Sequence, residues 1–269
     1  YYESRGIPMR FGFSRGLGSL FYAFVSLFIG KATAAGNITV IVYCGLVISF
    51  CCFMITLSFP YGRNMDSYEI IHTDEPASDI KNKVTTKSED LFIKKYPRFC
   101  ITLIGFILFL MFHNIANTYL LQMMESVGGT SENYGTALAI SAVLELPAMF
   151  GFVYLNRKFS MHTMLSVCGF AFAQKSICYL FATNVAMMYA TQIFQAFSFA
   201  VFIPASVYFA EQSMQPEDKV RGQSLVTSSI TTAAVLGNLL GGLWIDAFGV
   251  RSMMFMTLVS AFAGAIIVF

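Results

Sequence analysis

Apolar residues come in long blocks separated by short polar turns, and the block lengths decide the class of the chain. From just before Arg15 to Ala35 the chain is apolar, Gly36-Asn37 is a minimal turn, and Ile38 to Pro60 is a second block without charge. About 20 apolar residues in a helix cross the hydrocarbon of a bilayer. Comparable blocks follow at Phe99–Met124, Tyr134–Leu155, Ser160–Ala182, Val185 to about Gln212, Gly222–Ala247 and Ser252–Phe269, the last only just long enough. The pattern predicts eight membrane-crossing helices in an all-α integral membrane protein.

One polar interval stands apart. Tyr61–Pro97 mixes acids and bases without a sustained apolar period and reads as a solvated linker, with a short amphipathic helix at Leu91–Tyr96. It divides the chain into a helix pair (residues 1–60), the linker (61–97) and a six-helix block (98–269). The opening residues read like the middle of a loop, so further amino-terminal helices of the same chain are expected ahead of them.

Composition agrees. The 269 residues are 56% hydrophobic and 12% charged, against about 25% charged in soluble domains. The net charge of +2 gives no footing for nucleic acid, because the basic residues cluster in a few loops. If the first residues and every second loop are cytoplasmic, that side holds Arg5, Arg10, Arg63, Lys94, Lys95, Arg98, Arg157, Lys158, Lys219 and Arg221 among others, and the opposite loops hold only Arg251. This bias predicts a multi-pass protein of the plasma (inner) membrane with both ends and the linker inside. Cys44, Cys51, Cys52, Cys100, Cys168 and Cys178 all lie in apolar runs without metal-ligand spacing and read as small buried hydrophobes. No metal or cofactor motif is present, nor an H-E-x-x-H, a G-x-S-x-G or a phosphate loop, so an enzyme is not expected.

The candidate chemistry lies at bilayer depth. Glu145 sits near the middle of its span, with Pro147 two residues on. An intramembrane carboxylate is costly and faces a protein interior or a wet cavity. Lys175 in the next span differs from it in depth by roughly 5 Å, near enough to pair. Asn114 and Asn117 share a helix face with His113 beside them, and Gln192, Gln195 and Ser198 recur every third residue. Such amides bind a ligand or tie helices together. Arg15 lies about 10 Å into the first span if the helix starts near Pro8, and either reaches inward or snorkels to the interface.

Two spans, a long linker and six spans resemble the last two-thirds of a major facilitator superfamily transporter, starting at the fifth helix of twelve. The polar register is similar to that of the lactose permease branch, the oligosaccharide and nucleoside proton symporters. Phe11-Gly12-x-x-Arg15-x-x-Gly18 resembles the start of that branch's fifth helix. The resemblance implies a sugar-binding role for Arg15, a stacking role for Tyr22, a sugar-binding role for Glu145 and a coupling role for Lys175. Asn114 and Asn117 stand where the branch carries aspartates. Gln192, Gln195 and Ser198 stand where it carries a lysine, a histidine and a glutamate, so its proton-carrying carboxylate is missing. If protons drive the cycle, Glu145 is the main carboxylate left at depth to carry them. The expected function is secondary transport of a small hydroxylated solute, a sugar, oligosaccharide or nucleoside, by alternating access. Efflux of drugs or metabolites, and a transporter-like receptor that does not cycle, are the alternatives.

Overall fold

The computed structural model describes residues 11–37, 39–58 and 92–269, with side chains in the first helix from Gly16 onward. Among the described residues seven helices are long and apolar enough to cross a bilayer, and there is no strand. The last helical run, Lys219–Val268, has 50 residues, about 75 Å if straight, more than twice a hydrocarbon core. Gly249 breaks it with φ 78° and ψ 172°, a conformation that a Cβ would oppose. The run is therefore two helices end to end, joined in the turn expected around Asp246–Arg251, and Trp244 Nε1 donates to Ser252 Oγ (3.0 Å) across the bend.

Local signals start the helices. Thr130 and Asn133 form a reciprocal capping box ahead of Ser131–Lys158, the Ser160 hydroxyl accepts from the Thr163 amide, and the Asn184 side chain accepts from the Met187 amide. Each satisfies an amide that the helix leaves open at its first turn. Pro147 lies inside Ser131–Lys158 without ending it.

The chain divides into two compact units. The smaller, within residues 38–97, contains the helix Thr39–Ser58 and the four-residue helix Phe92–Lys95 where a short amphipathic helix was expected. The rest of the predicted linker lies outside the described residues. The larger unit joins the first helix, Phe11–Ala34, to residues 98–269. Its core is aromatic: Phe106 meets Phe202 edge-on at 5.0 Å, and Phe109 stacks on Phe172 at 5.0 Å. The first helix packs along the Glu145 helix, and at one crossing a Cβ on Gly30 would stand 2.9 Å from the Cα of Gly135. Glycine here lets two backbones touch.

Three expectations are corrected. The third span does not run unbroken to Met124: the helix Pro97–Thr118 ends at Tyr119, and Leu120–Glu125 is a separate helix. Beside the break the hydroxyls of Thr118 and Tyr119 donate to the side chain (2.7 Å) and carbonyl (2.8 Å) of Asn238. The sixth span is not one continuous α-helix: Val185–Thr191 is α-helical, Gln192–Gln195 is a 3₁₀ turn, and the α-helix resumes at Phe199. Gln192 and Ser198 donate to the carbonyls of Met188 and Phe194, and such local bonds compete with the regular helix. Of the six cysteines only Cys168 is buried, while Cys51 and Cys52 are exposed. Outward positions on a membrane helix meet hydrocarbon, so an apolar run does not by itself imply burial within the protein.

Candidate functional site

Within the larger unit a cavity of about 570 Å³ opens between the first helix, Pro97–Thr118, the Glu145 helix and the broken sixth span. Helical periodicity decides who lines it. On the Glu145 helix Tyr134, Leu138, Ser141, Ala142 and Glu145 face it, spaced four, three, one and three apart on a single stripe about 16 Å long. From Pro97–Thr118 come Leu110, His113, Asn114 and Asn117, and from the first helix Gly18, Ser19 and Tyr22. Gln195, Phe199 and Ile230 complete it. The wall is thus mostly amide, hydroxyl and ring, with one carboxylate.

That carboxylate is held at both oxygens. Ser19 Oγ donates to Glu145 Oε2 at 3.1 Å from the first helix, and Gln195 Nε2 donates to Oε1 at 2.8 Å from the 3₁₀ turn. The other end of the same amide, Gln195 Oε1, accepts from Lys175 Nζ at 2.6 Å. The predicted neighbours Glu145 and Lys175 are therefore joined through Gln195. Lys175 is 1% exposed and Glu145 9%; only the carboxylate lines the cavity. The ammonium also lies 5.6 Å from the ring centre of Tyr179.

Gln192 and Gln195 begin and end the 3₁₀ turn, and both are buried. Gln192 turns away from the cavity lining, and its Nε2 donates to the Tyr179 hydroxyl at 2.9 Å. On the facing helix Asn114 donates to the carbonyl of Leu110 at 2.8 Å, which leaves its own carbonyl oxygen for another partner. Asn117 Nδ2 contacts His113 Nε2 at 3.0 Å, and the His113 ring stacks on Phe199 with centres 4.3 Å apart.

Of the residues singled out in the sequence, Tyr22, Asn114, Asn117, Glu145 and Gln195 meet at this cavity, while Gln192 and Lys175 stand behind its wall. The side chain of Arg15 lies outside the described residues. Sequence reasoning missed Ser19, Tyr134 and Ser141, and it placed His113 beside Asn114 and Asn117, where it lines the cavity with them. Tyr134 and Ser141 were within reach, because they lie on the stripe that Glu145 defines. Ser19 had no such signal, since a serine in a small-residue stretch reads as packing.

A model of the MFS_1 like family matches residues 5–256 of the chain. No curated protein matches it. With spans, cavity and family match in agreement, the chain belongs to the MFS_1 like family, and so to the major facilitator superfamily of membrane transporters, as an integral multi-pass membrane protein.

Proposed function

We propose that this protein is a secondary transporter that binds a small hydroxylated solute, a sugar, oligosaccharide or nucleoside, in the cavity beside Glu145 and carries it across by alternating access. The helix pair of residues 1–60 would belong to one bundle and residues 98–269 to the other, joined by the linker 61–97, with the site where the first helix meets the Glu145 helix. The observation that carries the reading is a single buried carboxylate on a wall that also presents neutral amides, hydroxyls and rings beside the aliphatic Leu110, Leu138, Ala142 and Ile230. A carboxylate accepts strongly from solute hydroxyls, Asn114 and Asn117 add amide contacts, and Tyr22 offers a ring face. Arg15 would donate to the solute if it follows the lactose permease branch. Protons are the proposed coupling ion, with Glu145 the group to carry them.

Ligand-induced thermal stabilisation of the purified protein tests this, across mono- and disaccharides, nucleosides and amphipathic drugs, with Glu145→Gln beside it. A hydrogen bond to a charged group contributes about 1.5–3 kcal/mol, so the variant should bind the stabilising sugar or nucleoside roughly 10- to 100-fold more weakly. Equal binding by the variant removes Glu145 from the site. Stabilisation by the drugs alone would favour efflux, a reading that the rings of Tyr22, Tyr134, His113 and Phe199 on the same wall support.

A further inference from the structure

Among the described residues Glu145 and Lys175 are the buried carboxylate and the buried ammonium, and one amide separates them. An ammonium can only donate hydrogen bonds and a carboxylate can only accept them. An amide between the two satisfies both in one orientation alone, oxygen toward lysine and nitrogen toward glutamate, and Gln195 has that orientation. Turned over, it would set Oε1 against the carboxylate and NH₂ against the ammonium. Both charges therefore select the same orientation, and Lys175 anchors the amide at its oxygen end.

We infer that Lys175 is a positioning residue of the solute site: acting through Gln195, it keeps Oε1 of Glu145 hydrogen-bonded and the carboxylate set in the cavity wall. This rests on the reading of Glu145 as the group that accepts from the solute. Lys175 stays out of the solute's reach. The cavity consequently meets the negative member of the pair and not the positive one, so a donor-bearing neutral solute is favoured over an anion. A lysine that merely filled the core beside Tyr179 would support folding, yet its loss would leave the state of Glu145 unchanged.

The purified chain in detergent distinguishes these roles when treated with dicyclohexylcarbodiimide, an apolar reagent for carboxyl groups, with the adduct at Glu145 read by peptide mass spectrometry. Lys175→Met should raise labelling several-fold, because the amide loses its anchor at Oε1 and holds the carboxylate less firmly. Gln195→Glu retains an acceptor for Lys175 and removes the donor to Glu145, so it should raise labelling too, and it serves alone if Lys175→Met does not fold. Gln192→Leu breaks the neighbouring bond to Tyr179 and should leave labelling at the parent level. Lys175→Met should also lower the melting temperature by on the order of 5 °C, with much of the loss recovered in the Lys175→Met, Glu145→Gln double variant, where neither charge is left unbalanced. Parent-level labelling in a folded Lys175→Met or Gln195→Glu variant overturns the inference, and so does an equal rise in Gln192→Leu. No solute enters these measurements. A solute panel without hits would overturn the proposed function and leave the bridging of Glu145 by Lys175 standing.

Discussion

Two glutamines three residues apart face opposite obligations. Gln195 spends both ends of its amide on charged partners, whereas Gln192 donates to a phenol and to the carbonyl of Met188. Tyr179 is 1% exposed, so removing its partner leaves a buried hydroxyl less well satisfied, at a cost of about 1–3 kcal/mol. Gln192→Leu is expected to lower the melting temperature accordingly while leaving the affinity for any solute of the cavity within about twofold of the parent. A loss of affinity as large as that of Glu145→Gln would bring Gln192 into contact with the solute.

At the scale of helices, the first helix and the Glu145 helix depend on the absence of side chains at one crossing. A Cβ on Gly135 would meet the backbone oxygen of Ser26 at 2.5 Å and the Cα of Gly30 at 2.9 Å. Backbone cannot move aside as a side chain can, so Gly135→Val should destabilise the packed unit by about 1–3 kcal/mol or more. At Gly151, on the same helix, a Cβ would have nothing within 4 Å. There alanine should instead stabilise by about 0.5–1 kcal/mol through helix propensity. Melting curves of the two variants beside the parent check both signs. The elements themselves were legible, because a span of apolar residues fixes a crossing helix almost regardless of its neighbours. Breaks at Tyr119 and at Gln192–Ser198 were not. They coincide with side-chain bonds that no periodicity announces: Gln192 and Ser198 bond carbonyls of their own span, and Thr118 and Tyr119 bond Asn238, 120 and 119 residues away in sequence.

For the whole molecule, the topology proposed from the loops makes Lys158 cytoplasmic and Arg251 external. A cysteine replacing Arg251 should react with a membrane-impermeant maleimide in intact cells, and one replacing Lys158 only after permeabilisation. The opposite pattern would invert the protein, and labelling of both in intact cells would put the two loops on one side and overturn the odd number of crossings proposed between them. The site was half legible for a related reason. Glu145 announced itself because a carboxylate in an apolar span is costly, and the amides followed from their spacing. How Lys175 relates to the cavity could not be read from depth alone, since two charges at similar depth can touch directly or through an intermediary on a third helix.

The short 3₁₀ turn has a mechanical corollary. Residues wind by about 120° each in that form and by about 100° in the α form, and they rise about 2.0 Å instead of 1.5 Å. If the four residues Gln192–Gln195 rewound as α-helix, Phe199–Ser213 would rotate by about 80° relative to Val185–Thr191 and draw about 2 Å closer along the axis. The sixth span is in that sense a screw coupling, and the amide that tethers Glu145 to Lys175 is mounted on its thread.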